Sequence, residues 1–248
     1  MVVIDVAQFE ERVRQHRLWI EQNGQGQQLV LRNCVISNID ASHQDLRYVQ
    51  FIDCVFIKCD FVACNFTKAV FTGCILARRV RFVHCDLQEV NLCDANLYTC
   101  KFILCCGLET AIVDDKTLYY RPQCPMNGSF IGYKGAWCYD PELHIRPVLV
   151  TLEIPADAYR SSATTRKCRC NKAIVLDAYT LSNGQQLPDA VPIHSTYNYA
   201  FVYTIGQTLQ VDDYDTNRWN ECSTGIHFFM EKEDARLWIE SWINDYSF

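Results

Sequence analysis

Cys54-Val55-Phe56, Cys59-Asp60-Phe61, Cys64-Asn65-Phe66, Ala69-Val70-Phe71 and Cys74-Ile75-Leu76 repeat one phrase every five residues: a small residue, a polar or variable one, then Phe or Leu. One extra residue near Ala77–Arg79 interrupts the run. It resumes with Val80-Arg81-Phe82, Cys85-Asp86-Leu87, Val90-Asn91-Leu92, Ala95-Asn96-Leu97 and Cys100-Lys101-Phe102. Upstream, degenerate copies centre on Leu31, Ile36, Ala41, Leu46 and Phe51. Apolar periods of 3.6 and 2 belong to helices and flat strands, and five fits neither. Self-similarity at a short fixed period marks a solenoid, whose units bury their apolar side chains only by stacking on neighbours. Such a tube fixes shape more than chemistry, so a reactive site is to be sought elsewhere in the chain.

The phrase resembles the pentapeptide-repeat family, whose motif is a small residue, Asp or Asn, Leu or Phe, then two polar residues. The resemblance implies a short right-handed quadrilateral β-helix, four pentapeptides to the coil. Residues about twenty apart should then stack, with strands about 4.8 Å apart. The sequence agrees: Leu31, Phe51, Phe71 and Leu92 form one file, and Ile36, Phe56, Leu76 and Leu97 a second. Ala41, Phe61, Phe82 and Phe102 form a third, and Leu46, Phe66 and Leu87 a fourth. Just under four coils make a rod roughly 20 Å long at that spacing.

The same register accounts for the cysteines, of which the 248-residue chain has 15. Disulfide scaffolds are short secreted chains. Here Cys34, Cys54, Cys59, Cys64, Cys74, Cys85, Cys100 and Cys105 occupy the small slot, where Cys acts as a compact buried hydrophobe. Parallel stacking at about 4.8 Å is wider than the roughly 3.8 Å between the Cβ atoms of a disulfide. Free thiols in a reducing compartment are expected.

The length suits one large or two small domains. A hydrophobic content of 49% fills cores, and a formal charge of −6 favours solubility over a polyanion partner. Met1-Val2-Val3-Ile4 runs into Asp5 with no basic leader or cleavage pattern. No uncharged stretch approaches the ~20 residues that span a bilayer. A cytoplasmic protein with no membrane association is expected.

Three segments follow from these patterns: 1–28, a capping helix; 29–106, the repeat coil; 107–248, an α+β domain. The helix runs from about Val6 to Gln22, with Phe9, Val13 and Ile20 on one face, and ends at Asn23-Gly24-Gln25-Gly26. An amphipathic helix at a solenoid end covers the open core of the first coil. Past Cys106 the period fails, and β-rich runs appear at Val148–Ile154, Ala173–Thr180, Tyr199–Ile205, Thr208–Val211 and Gly225–Phe229. A closing helix from about Lys232 to Asn244 carries Ala235, Trp238, Ile239, Trp242 and Ile243 on one side. The fold class expected is mainly β: a short quadrilateral β-helix with an N-terminal capping helix, then a partly antiparallel sheet with a helix against it.

The second half also resembles an uncharacterised domain that recurs behind pentapeptide repeats in bacterial, phage and large-virus proteins. Ser129-Phe130-Ile131-Gly132-Tyr133-Lys134, Arg160-Ser161-Ser162-Ala163-Thr164, Arg166-Lys167-Cys168-Arg169, Trp219-Asn220-Glu221-Cys222 and Gly225-Ile226-His227-Phe228-Phe229 carry that resemblance. It implies the domain layout and no activity. For a viral chain the expected compartment is the host cytoplasm.

Candidate chemistry concentrates in Arg160–Lys172. Arg160, Arg166, Lys167, Arg169 and Lys172 are interleaved there with Ser161, Ser162, Thr164 and Thr165. Guanidinium forks and hydroxyls together suit phosphate or carboxylate. The bland alternative is a solvated loop paired with Glu153 and Asp157. A second cluster, Arg218 to His227, places Glu221, Cys222 and His227 close together; Glu221 and His227 are candidate acid–base residues. Cys168 and Cys170, with Cys124, Cys138, Cys222, His144 and His227, contain no Cys-x-x-Cys pair, so no metal site is expected. No Walker or dinucleotide loop is present and no cofactor is expected.

Four functions compete on this reading. A binding or adaptor protein would use the coil as a rigid spacer and the C-terminal domain for a protein partner or an anionic small molecule. An enzyme would act on a nucleotide or phosphorylated small molecule through Arg160, Arg166 and Arg169. A sequestering protein would hold such a ligand unchanged. DNA mimicry, known in the repeat family, needs a long acidic rod, and residues 29–104 hold seven acidic against eight basic side chains. That coil is also too sparse in basic groups to bind DNA. The adaptor reading is favoured, with oligomers through coil ends open.

Overall fold

The computed structural model describes residues 1–21, 25–77, 79–139, 145–189 and 191–246. The chain divides into two compact units, Met1–Arg121 and Pro122–Phe248.

In the first unit, β1 (Val2–Ile4) and α1 (Val6–Glu21) precede a coil of short strands. These are β2 (Val30–Arg32), β3 (Cys34–Ser37), β4 (Asp40–Ser42), β5 (Gln50–Ile52), β6 (Val55–Ile57), β7 (Asp60–Val62), β8 (Val70–Thr72), β9 (Arg81–Val83) and β10 (Lys101–Ile103). Every fifth residue, from Asn33 to Lys68 and again from Arg79 to Leu104, has a left-handed backbone, with φ between 50° and 67°. Each such residue turns the chain through a corner, which is why the period is five. Gly73 to Arg79 is one residue longer, and the extra residue lies at that step. Leading into the corners at Tyr48, Lys68, Glu89, Asp94 and Thr99, the side chains of Asp45, Asn65, Asp86, Asn91 and Asn96 accept the backbone N–H two residues on, the Asx turn that favours these residue types.

The files stack as the register requires. Leu31 pairs with Phe51 and Phe51 with Phe71; Ala41 pairs with Phe61, Phe61 with Phe82, and Phe82 with Phe102. Phe51 and Phe71 lie 5.1 Å apart between ring centres, Phe61 and Phe82 5.2 Å, Phe82 and Phe102 5.4 Å. Burying each ring is worth about 1.5–3 kcal/mol. All fifteen cysteines are free. Beyond filling space, the thiols donate to the previous coil: Cys54 to Leu31 O, Cys59 to Ile36 O, Cys74 to Phe51 O and Cys85 to Phe61 O, at 3.3–3.5 Å. Burial pushes the Cys59 and Cys100 thiols up in pKa, away from thiolate chemistry.

α1 covers the first coil. Asp5 and Gln8 close a reciprocal capping box at its start. Phe9, Val13 and His16 are its buried face. His16 receives the Leu29 N–H at Nδ1 and donates from Nε2 to Arg47 O, and β1 extends the coil by pairing with β3. The expected helix end at Asn23-Gly24 lies outside the described residues, but Gly26 stands at φ 87° with Gln15 O 2.3 Å from where a Cβ would sit. No other residue type fits there.

The coil runs past the expected boundary at 106. Asp86 bridges to Cys106, Asn91 to Ile112 and Asn96 to Leu118, at separations of twenty, twenty-one and twenty-two residues. A 3₁₀ turn at Leu108–Thr110 absorbs part of the added length. Parallel pairing therefore persists after single-residue insertions have erased the sequence period, and the first unit ends at Arg121.

The second unit is built on one antiparallel sheet. Its strands are β11 (Phe130–Tyr139), β12 (Ile145–Ile154), β13 (Arg160–Ser162), β14 (Lys167–Cys170), β15 (Lys172–Thr180), β16 (Ile193–His194), β17 (Val202–Tyr203), β18 (Thr208–Gln210) and β19 (Ile226–Phe229), followed by α2 (Lys232–Tyr246). Their order is β13-β14-β19-β11-β12-β15-β18, with β16 joined to β11 and to β17. α2 lies on one face, where a Cβ on Gly135 would meet Ile239 and the Ala235 carbonyl. The other face holds the core, including Ala136, Cys138, Val150, Cys168, Cys170, Tyr203 and Phe228.

Candidate functional site

β11 has two partners along one edge. Tyr133 pairs with Phe229 of β19, and from Trp137 onward the strand pairs with His194 and Ile193 of β16. Lys134, Gly135 and Ala136 fall between the two partners. At this fork a cavity of about 680 Å³ opens, within the range of small-molecule sites. Lys134, Lys167, Tyr203, Cys222 and His227 line it, and the exposed Asp212 and Asp213 lie at its rim.

Lys134 is the unusual member. Phe130, Gly132, Lys134, Ala136 and Cys138 share one face of β11 by strand alternation, and that face is the core face. The residue is 5% exposed, and no carboxylate pairs with it among the described residues. Its neighbours are aromatic: the Tyr203 and Trp238 ring centres each lie 5.7 Å from Nζ. Burial, then the charge of Lys167, draws its pKa down to about 8.

β14 and β19 supply the adjoining wall. Arg169 stands opposite His227, and Lys167 shares their face two residues away. His227 Nε2 lies 3.0 Å from Glu221 O. A carbonyl only accepts, so that nitrogen carries the proton and Nδ1 keeps a lone pair. Burial and the charges of Lys134, Lys167 and Arg169 hold its pKa down at about 3, so the ring is neutral. Lys167 Nζ approaches the exposed Cys222 thiol at 3.3 Å.

The basic segment does not form the site expected of it. Arg160, 7% exposed, spends its guanidinium on the carbonyls of Ala158, Gly128, Pro155 and Ala156 at 2.7–3.0 Å. Arg169, 2% exposed, donates to Asp215 O, Thr224 O and Asn217 O, tying down the loop before β19. Gly225, at φ 142°, makes room for it: a Cβ there would lie 2.5 Å from Arg169 Cγ. Both arginines thus bind backbone rather than a ligand. Ser161 accepts from Tyr214, Ser162 accepts from Gln123 N, and Thr164 is buried. Arg166 points to solvent and pairs with Asp234 at 3.0 Å. Lys167 alone of that segment reaches the cavity.

Glu221 and His227 are adjacent, but through the Glu221 carbonyl; the carboxylate takes the Thr165 hydroxyl. Among the described residues no three His, Cys, Asp or Glu side chains gather to hold a metal, and His144 lies outside them. For Lys134, which the family phrase Ser129–Lys134 contains without assigning it a role, the sequence signal is a lysine on the apolar face of Phe130-x-Gly132-x-Lys134-x-Ala136-x-Cys138.

Residues 34–73 match the pentapeptide repeats, in eight copies, and residues 120–235 match a family of unknown function, DUF5758. An uncharacterized protein of Acanthamoeba polyphaga mimivirus is 31% identical over 114 residues, 42% of this chain and 72% of that protein. The chain belongs to the pentapeptide-repeat proteins that carry a C-terminal DUF5758 domain. Among solved structures, this pentapeptide-repeat protein is similar to a pentapeptide repeat protein (Rfr23) from the cyanobacterium Cyanothece 51142. The identity is 14%, over 34% of this chain and 64% of that one, with a TM-score of 0.18. Its DUF5758 match contains every residue named above as lining the fork. No helix among its described residues is long and apolar enough to cross a membrane.

Proposed function

We propose that the second unit is a binding module for an anionic small molecule, carried on a rigid repeat scaffold. The observation that carries this reading is Lys134, a buried amine lacking a carboxylate partner among the described residues and bordering a cavity of about 680 Å³. Removing a charge from water costs several kcal/mol unless something compensates, and a ligand anion would do so. Lys167 adds a second positive charge, and Tyr203, Phe201 and Tyr197 offer rings for an apolar or planar part of the ligand. His227, neutral and with Nδ1 unprotonated, suits accepting a hydrogen bond better than shuttling protons, which favours binding over acid–base catalysis.

Thermal unfolding of the full chain against inorganic phosphate, ATP, NAD and cyclic dinucleotides tests this. A ligand at 100 times its dissociation constant adds about 2.7 kcal/mol to stability. The stabilisation should vanish in Lys134→Met, weaken in Lys167→Ala and persist in Arg166→Ala. Absence of any shift across the panel would reject the anion site and favour a protein partner.

A further inference from the structure

We propose that Lys134 captures its ligand covalently and reversibly, as an imine with a small aldehyde or ketone that also bears a carboxylate or phosphate. The inference rests on the reading of the cavity as an anion site and specifies what else the ligand carries. Two roles are separable here. Lys167, more open and at the same cavity, offers a charge for the anionic end. Lys134, 5% exposed between the Tyr203 and Trp238 rings, offers an amine on the apolar floor. A lysine desolvated beside a second cation is the arrangement that frees an amine lone pair for attack on a carbonyl.

The uncharged amine is the nucleophile. With the pKa drawn down to about 8, roughly a tenth of Lys134 is uncharged at pH 7, against less than a thousandth of an ordinary lysine. Its lone pair forms the C–N bond while the carbonyl π pair moves to oxygen, which takes up a proton as nitrogen loses one. The carbinolamine then loses hydroxyl and the second N–H proton as one water molecule, leaving C=N. Nothing is oxidised or reduced, and hydrolysis reverses every step. The Cys222 thiol, 3.3 Å from Lys167 Nζ, could take the same carbonyl as a thiohemiacetal, but hydride reduction fixes only the imine.

The test uses the full wild-type chain with glyoxylate, an anionic aldehyde, or propanal, a neutral one, each with cyanoborohydride at pH 7, followed by peptide mass mapping. The expected result is carboxymethylation by glyoxylate at Lys134 roughly tenfold or more faster than at any surface lysine. Lys134→Arg should remove the fast site, and Lys167→Ala should slow glyoxylate while leaving propanal nearly unchanged. Labelling spread over surface lysines would overturn the imine, even if phosphate still stabilises the wild type through Lys134. Fast labelling of Lys134 by both aldehydes, indifferent to Lys167, would keep the imine and reject the anion reading beneath it.

Discussion

An ammonium group held out of water with no counter-charge lowers the stability of the fold around it, and among the described residues Lys134 has no carboxylate beside it. Its folded pKa lies below the unfolded value of about 10.4, so the unfolded chain binds the extra proton between pH 8 and 10.4. The resulting cost is complete below pH 8 and disappears as the pH passes the unfolded value. Lys134→Met should therefore raise stability at pH 7 by about 1 kcal/mol or more, and the gain should shrink toward pH 10. Chemical denaturation of both proteins at the two pH values would show it. A variant less stable at pH 7 would mark Lys134 as structural. Arg160 and Arg169 carry the opposite lesson. Their sequence context shows guanidinium groups among hydroxyls, but not that backbone carbonyls would close around both. Backbone acceptors leave no trace in a list of side chains, so these residues looked like ligand contacts.

At the scale of elements, the coil was legible because its period is enforced by backbone geometry. A left-handed corner every five residues tolerates many residue types but costs all except Gly something, and Asn less than most. Lys58, exposed and at φ 53°, should gain about 0.5–1 kcal/mol on Lys58→Asn, measured by denaturant unfolding. A loss would contradict the corner account. The coil's last turn was not legible, since its bridges survive growing insertions that hide the repeat. His16 could have been read from its place seven residues after Phe9 on the helix face, where Ile20 drew attention instead. The fork in β11 could not have been read at all. It depends on β16 and β19, far apart in sequence, meeting the same strand edge.

For the whole molecule, the two units differ in what they do with reactive groups. The first unit puts most of its thiols into a stacked core, where burial pushes Cys59 and Cys100 up in pKa, away from the thiolate. The second brings Lys134, Lys167, Cys222 and His227 to one cavity, where Lys134 has no carboxylate partner among the described residues. On the proposed function, ligand chemistry belongs to the second unit, with the coil as scaffold. Titration of lysine side chains by NMR in the full-length chain, isotope-labelled at lysine and assigned through Lys134→Arg, tests this most directly. The account predicts that the Lys134 amine titrates near pH 8. A Lys134 midpoint at or above the ordinary value of about 10.4 would contradict it.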